Sequence, residues 1–312
     1  MSLTHVQSRV AETAPSVFEV KLPASLARFG GSVRASVAGP DGAPLIVLLG
    51  GISADCFPCS WWTGFAGHGC AADPDRYRVL GLDFIADPSG ENAPSPLDQA
   101  VALCAALDLL DVAKAHAAIG ASYGGMIALA LGQHFPERVE RLVVISADAR
   151  PHPAATAIRE LQRRIVALGL AGGNADEALS IARGLAMLSY RTREEFAGRF
   201  EGGIEGEAAL GRSDPGDYLR NRGDAFVARM TPHRFLSLSA SIDRHRVDPE
   251  RIMVPSLLIG ALSDQLVPPV QMEALAAALG GPNQLHLLPS LFGHDMFLKD
   301  AETVSALVEA FL

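Results

Sequence analysis

The stretch Ala117-Ala-Ile-Gly-Ala-Ser-Tyr-Gly-Gly-Met126 constrains the chain more than any other, because it sets Ser122 between Gly120 and Gly124 with an apolar run before it and a helical pattern after it. That order reads as strand, sharp turn, helix. A serine on such a turn takes a strained backbone conformation, and the residues two positions to either side must be small for the turn to clear the adjoining strand and helix. The spacing lifts the Ser122 hydroxyl clear of a sheet and aims the amino end of the following helix at it. Ser122 is therefore the candidate nucleophile.

The rest of the chain supplies a sheet for that turn. Leu45 to Leu49 is continuously apolar, as expected of a strand buried on both faces of a parallel sheet. It ends in Gly50-Gly51-Ile52-Ser53, at the place where α/β sheets put their ligands. The backbone N–H groups of Ile52 and Tyr123 are expected to form an oxyanion hole there. Further strands are expected at 16–21 and 32–38, joined by a Gly-containing turn, and at 78–83, 141–146, 256–260 and 284–288. Ser95, Pro96 and Asp98 mark a helix start, with the helix running to Leu110. Helices are also expected at 269–279 and 301–312, and the stretch from Ala54 to Asp75, with Trp61 and Trp62, reads as a long loop over the site. Between 148 and 234 apolar residues recur at helical spacing over 155–168, 175–186 and more weakly 193–200, with no convincing strand. We expect a core formed by 1–147 and 235–312, and a helical lid inserted at 148–234.

A nucleophilic serine needs a base and a group to orient that base. Asp264 follows the strand ending near Ala261, and His294 follows the last strand in Leu-Phe-Gly-His-Asp. The other histidines fall in a tail, loops, helix ends, the insertion or mid-strand. The chain order Ser, Asp, His is that of the α/β-hydrolase fold: a mostly parallel central sheet with helices on both faces. In it His294 takes the Ser122 proton, while Asp264 holds the imidazole in the right tautomer and stabilises its cation.

Composition narrows the partners. With 312 residues, 49% of them hydrophobic, the chain can bury a large core. Lys+Arg 26 against Asp+Glu 35 gives a net charge of -9, which repels nucleic acid and anionic membrane. No stretch is apolar enough to span a bilayer and the first residues lack a signal-peptide core, so a soluble cytoplasmic protein is expected. Cys56-Phe-Pro-Cys59 has metal or redox spacing, but no second pair or histidine pair completes a metal site. Free thiols and no bound metal are expected for Cys56, Cys59, Cys70 and Cys104.

At these residues the chain resembles the homoserine O-acyltransferases of methionine biosynthesis, acyl-transferring members of the α/β-hydrolase superfamily. The resemblance runs from about Leu45 to the carboxyl end. It is carried by Gly120 to Met126, by Phe135 to Ile145, and by Ala149-Arg150 and Glu160 to Arg163. Tyr218-Leu219, Gly223-Asp224, Phe226, Arg229, Asp243, His245 and Val247 continue it, and Gly293 to Leu298 closes it. The resemblance implies transfer of an acetyl or succinyl group from acyl-CoA, a co-substrate rather than a bound cofactor, to the hydroxyl of L-homoserine. It implies that Arg229 binds the homoserine carboxylate, that Asp295 binds its ammonium, that Ser53 belongs to the oxyanion turn and contacts substrate, and that the protein is a homodimer built through the lid. Phe235 stands where the family usually has tyrosine, Cys-Phe-Pro-Cys replaces small and polar residues, and 84–94 lacks a Gly-rich run. The acyl donor is left open. Arg159, Arg163 and Arg164 read either as contacts for CoA phosphates or as a solvated helix face. Two other enzymes fit the same scaffold, a carboxylesterase using water and a serine O-acyltransferase, and a non-catalytic binding protein is the alternative from another class.

Overall fold

The computed structural model describes residues 14–312; the amino-terminal stretch read above for a leader, together with His5, lies outside the described residues. Strands β1 (Ser16–Lys21) and β2 (Ser32–Ala38) form an antiparallel hairpin. Their connection is more than a glycine turn, because Ala24–Phe29 forms a 3-10 helix that buries Leu26 and Phe29 under the sheet. β3 (Leu45–Leu49) leads through α1 (Pro58–Trp61), a short helix within the stretch expected to be irregular, to β4 (Arg78–Leu82). α2 (Pro96–Leu109), β5 (Ala117–Ala121), α3 (Tyr123–His134) and β6 (Leu142–Ile145) follow. The chain then stays helical through α4 (Pro153–Gly172), α5 (Ala175–Tyr190), α6 (Arg193–Arg199), α7 (Asp214–Val227) and α8 (Pro232–Asp243). It returns to the sheet with β7 (Ser256–Ala261), α9 (Pro269–Ala278) and β8 (Asn283–Leu288), and ends with α10 (Met296–Lys299) and α11 (Ala301–Phe311).

The sheet order is β1-β2-β4-β3-β5-β6-β7-β8. β2 runs antiparallel to β1 and β4, and every pair from β4 to β8 is parallel. The chain moves outward from β3 to β4, then crosses back to lay β5 on the other side of β3. That reversal opens a crevice at the carboxyl ends of β3 and β5, where the crossovers leave in opposite directions.

Alternate residues of the central strands feed two cores. Val47, Leu49, Leu80, Ala118, Val144 and Leu258 pack with α2, α3 and α9 on one face. Ile46, Leu48, Val79, Ile119, Val143, Ile145 and Ile259 pack on the other with Trp62, Phe65, Met296, Phe297, Val304 and Val308. Helices on both faces explain why these strands are apolar throughout rather than alternating. α2 begins as its sequence indicates: Ser95 Oγ accepts from the Asp98 N–H at 3.2 Å and the Asp98 carboxylate accepts from the Ser95 N–H at 2.6 Å.

The elbow at Ser122 depends on missing side chains. A Cβ on Gly120 would lie 2.1 Å from the Gly124 carbonyl oxygen, and one on Gly124 would lie 2.1 Å from the Leu49 carbonyl oxygen. A Cβ on Gly125 would lie 2.7 Å from that of Ala147. Strand, turn and helix therefore touch backbone to backbone, and the Gly124 N–H donates to the Gly50 carbonyl at 2.9 Å.

The helical insertion is clamped by charge. Asp243 accepts from Arg159 at 2.6 Å and from Arg163 at 2.7 Å, joining α4 to α8. Arg159 and Arg163 thus have a resident carboxylate partner, which replaces the expectation of CoA phosphate contacts or a solvated face; Arg164 is exposed. α7 and α8 were not legible in the periodicity. α7 approaches α5 because Gly223 carries no Cβ, which would sit 2.2 Å from Ser180 Oγ, and that hydroxyl donates to Asp224 at 2.8 Å. α8 runs through residues 234 and 235 without a break and docks on the core: the Ser237 hydroxyl accepts from the Asp87 N–H and donates to the Asn92 carbonyl. Arg234 donates to the Phe84 carbonyl, and the buried Tyr123 hydroxyl meets Ser241.

Gly124→Ala is expected to prevent soluble expression or to lower Tm sharply, since the clash is with backbone and nothing flexible can yield. Asp243→Ala leaves two largely buried guanidinium groups without their carboxylate, and should cost about 2–4 kcal/mol in a chemical denaturation curve.

Candidate active site

Three side chains from separate loops at the carboxyl edge of the sheet form one hydrogen-bonded row. Ser122 sits between β5 and α3 at φ 55 and ψ -116, a conformation that costs roughly 1–3 kcal/mol and persists because the elbow packing enforces it. Its Oγ lies 2.8 Å from His294 Nε2, and His294 Nδ1 lies 2.8 Å from Asp264 Oδ2. The other Asp264 oxygen accepts from the N–H groups of Leu266 at 2.8 Å and Val267 at 3.0 Å, so the carboxylate is oriented by backbone. Asp264 and His294 are buried, and Ser122 is half-buried. Burial by itself pushes the imidazole pKa down. The Asp264 carboxylate outweighs that through its charge and its hydrogen bond, with Asp295 adding to it, and His294 ends above its ordinary value.

Ser122 and His294 line two spaces. A small pocket of about 50 Å³ lies against Met126, Ala155, Ile158, Leu266 and Val267. A larger cleft of about 470 Å³ is lined by Ile52, Ser53, Arg229 and Asp295, together with Tyr190 of α5 and Phe226 of α7. Ile52 is buried at the strand exit and Ser53 is exposed into the cleft. Tyr123 follows Ser122 as the first residue of α3, so its N–H lies among those without an intrahelical acceptor. Its side chain points away from the cleft into a buried network, where its hydroxyl accepts from Gln99 at 3.0 Å. Burial first of all holds the Tyr123 phenol protonated, its pKa raised.

Of the residues singled out in the sequence, Ser122, His294, Ile52, Ser53, Arg229 and Asp295 line this cleft, Asp264 lies buried behind His294, and Tyr123 adjoins Ser122 through the backbone alone. The structure also supplies a partner that the sequence did not disclose. Arg191, buried just after α5, donates to Asp295 Oδ2 at 2.7 Å and to Glu195 at 2.9 Å. Arg191 shares its charge between two carboxylates, and Asp295 Oδ1 stays outside that pair. Next to it, Thr192 Oγ1 donates to the Leu291 carbonyl at 2.6 Å, and the Tyr190 ring lies 5.7 Å from the His294 ring. This close approach needs Gly293, at φ +57, whose Cβ would fall 2.6 Å from the Tyr190 carbonyl. The signal in sequence was the glycine before the histidine, but nothing local names its partner 100 residues away.

Phe235 is buried edge-on to Phe226 at 6.2 Å, inside the insertion rather than in the cleft lining. Trp61 lines the cleft, whereas Trp62 is fully buried, stacked on Phe65 at 4.1 Å, with its indole N–H donating to the Phe297 carbonyl. Cys56 and Cys59 are free thiols; Cys56 is buried and burial, with Asp83 beside it, pushes its pKa up to about 12. His68, Asp73 and Asp75 converge within 4.8 Å, Asp73 buried and the other two exposed, but none lines the cleft. No helix of the described residues is long and apolar enough to cross a membrane.

Comparison with known proteins bears on the fold and the family. The family described as alpha/beta hydrolase fold matches residues 44–301. A homoserine O-succinyltransferase of Xanthomonas campestris pv. campestris is 39% identical over 90% of this chain and 78% of its own length. A homoserine O-acetyltransferase of Thermus thermophilus is 33% identical over 81% of this chain and 72% of its own. Among solved structures, homoserine O-acetyltransferase from Bacillus anthracis superposes with a TM-score of 0.82 over 96% of this chain and 97% of that one, at 16% identity. Esterase E22 superposes with a TM-score of 0.81 over 96% and 99%, at 19% identity. At such identities the structures speak for the fold alone, and the sequence relatives for the family. The eight-stranded sheet, the elbow serine and these relatives place the chain in the homoserine O-acyltransferase family of the α/β-hydrolase superfamily.

Proposed function

We propose that the protein transfers an acyl group from acyl-CoA to the side-chain hydroxyl of L-homoserine through a Ser122 acyl-enzyme, a step of methionine biosynthesis. The observation that carries this reading is the placement of the Ser122–His294–Asp264 row at the floor of a cleft that also holds Arg229 and Asp295. A cation and a carboxylate within reach of an acylated serine suit the two charged ends of an amino acid. The family's named activities support the same choice.

His294 takes the Ser122 proton as Oγ attacks the thioester carbonyl, the oxyanion rests on the Ile52 and Tyr123 N–H groups, and the proton passes to the departing CoA thiolate. Homoserine then enters with its carboxylate on Arg229, its ammonium on Asp295 Oδ1 and its backbone near Ser53. His294 takes the homoserine hydroxyl proton, the oxygen attacks the acyl carbon, and the proton returns to Ser122 as the ester leaves. The insertion serves as a lid: by crowding the cleft with Tyr190, Met187 and Phe226 it limits the water that would otherwise hydrolyse the acyl-enzyme. No permanent cofactor or metal enters these steps. Arg183, Arg222, Arg229 and Lys299 line the cleft of a chain whose net charge is -9, so its mouth attracts anionic donors such as CoA thioesters. A homodimer joined through the lid belongs to the same proposal, and size-exclusion with light scattering tests it.

Thiol release from acetyl-CoA or succinyl-CoA that depends on L-homoserine supports the transferase. Ester cleavage without homoserine would favour a carboxylesterase, and neither activity a binding protein. L-serine belongs beside homoserine in that assay, since one methylene is worth only about 1–3 kcal/mol of discrimination.

Ser122→Ala should abolish acyl-enzyme formation, read as loss of the mass shift on incubation with donor. His294 must be neutral to accept a proton, so activity falls as pH drops through its pKa. Because that value is raised, the acid limb of kcat/KM should lie above 6.5. Asp264→Asn removes the raising influence while burial remains, so the limb should move to lower pH as the rate falls roughly 10⁴-fold. Arg229→Leu should raise the KM for homoserine about 10–100-fold, the worth of a hydrogen bond to a charged group, while the pre-steady-state burst of thiol from donor alone persists.

A further inference from the structure

The cleft holds more fixed positive charge than an amino-acid acceptor requires. Arg191 has its two carboxylates, and Arg229 is assigned above to the acceptor carboxylate. Arg222 is exposed, its guanidinium 5.4 Å from the Tyr218 ring, and Lys299 is exposed at the rim. Arg183 differs from all of them. It projects from α5 into the cleft, half-buried, with its guanidinium carbon 5.3 Å from the Tyr190 ring and 4.9 Å from the Phe226 ring.

Among the described residues Arg183 forms no ion pair and no side-chain hydrogen bond. The two rings supply cation–π attraction, about 0.5–2 kcal/mol, yet offer nothing to the five N–H donors of the planar group. A half-buried guanidinium so placed is a preformed receptor for a carboxylate, which it can grip with two parallel hydrogen bonds. Its position relative to the chemistry follows from two contacts in series: Arg183 lies against Tyr190, and Tyr190 lies 5.7 Å from the His294 imidazole. An acyl group on Ser122 that extends along the Tyr190 ring runs towards Arg183.

We propose that Arg183 receives the terminal carboxylate of a dicarboxylic acyl group, which makes the donor a thioester of the succinyl type rather than acetyl-CoA. The inference rests on the transferase reading and specifies its donor. The covalent steps are unchanged: the Ser122 Oγ–carbon bond forms as the carbon–sulfur bond breaks, the serine proton leaves on the CoA thiol, and the far carboxylate stays unreacted on Arg183. It orients the acyl chain while homoserine displaces Ser122.

Initial rates with succinyl-CoA and acetyl-CoA, at saturating L-homoserine, test this on the wild type, Arg183→Gln and Arg183→Lys. The wild type should prefer succinyl-CoA, Arg183→Gln should lower the succinyl-to-acetyl ratio of kcat/KM about 10–100-fold, and Arg183→Lys should restore part of it. Arg183→Lys retains the charge and serves if the glutamine variant fails to fold, in which case a ratio equal to wild type together with an acetyl preference overturns the proposal. Equal loss with both donors would mean a contact to the shared CoA phosphates or a structural role, and overturns it. So does a change confined to the KM for homoserine, which would place the acceptor on Arg183. Absence of homoserine-dependent thiol release from either thioester in the wild type would instead overturn the transferase reading itself, and this inference with it.

Discussion

The site depends on a steric condition: two positions on either side of Ser122 carry no side chain. With Gly120 against the Gly124 carbonyl and Gly124 against the Leu49 carbonyl, β3, β5 and α3 close to backbone contact. That contact holds Ser122 at φ 55, a strained conformation which a looser turn would relax. The same closeness brings the exit of β3 beside the start of α3, where the Gly124 N–H donates to the Gly50 carbonyl. Rigidity of this kind suits the oxyanion hole proposed above, because donors held in place need no rearrangement when charge develops.

Around this fixed floor the insertion supplies much of the cleft lining. α5 and the segment after it are pinned to the His294 loop by Arg191–Asp295 and Thr192–Leu291, Asp243 ties α8 to α4, and Ser237 and Arg234 tie α8 to the core. The insertion therefore presents Arg183, Tyr190, Phe226 and Arg229 at defined positions over the serine. An acidic chain thereby builds a basic cleft. Net charge describes the far field, whereas a handful of arginines on facing helices sets the local charge of the cleft.

Much of this was legible along the chain because the signals are local. The apolar run of β3, the Ser95-Pro96 helix start and the elbow glycines each act over a few residues, and the boundaries read from them moved by only a residue or three. α7 is not legible in the sequence because Asp214 to Val227 sets Pro215, Gly216 and Gly223 among charged residues, and its packing depends on Gly223 meeting Ser180 of another helix. Arg159 and Arg163 looked like surface or phosphate-binding residues for the same reason. Their carboxylate, Asp243, is some 80 residues away, and helical periodicity says which residues share a face but not what that face meets.

The sequence by itself determined the chemistry of the floor: a serine that can stand only on a glycine-flanked turn, with an aspartate and a histidine after later strands in an order that one fold uses. Pairing between distant residues was decided by tertiary structure alone. Asp295 acquires Arg191, while Arg183 is left between two aromatic rings with its donors open, and Phe235 is drawn into the insertion's interior. The reason is physical. Backbone conformation responds to neighbours a few positions away, but ion pairing and burial depend on which helices are brought face to face, and that is settled when the insertion folds down onto the sheet.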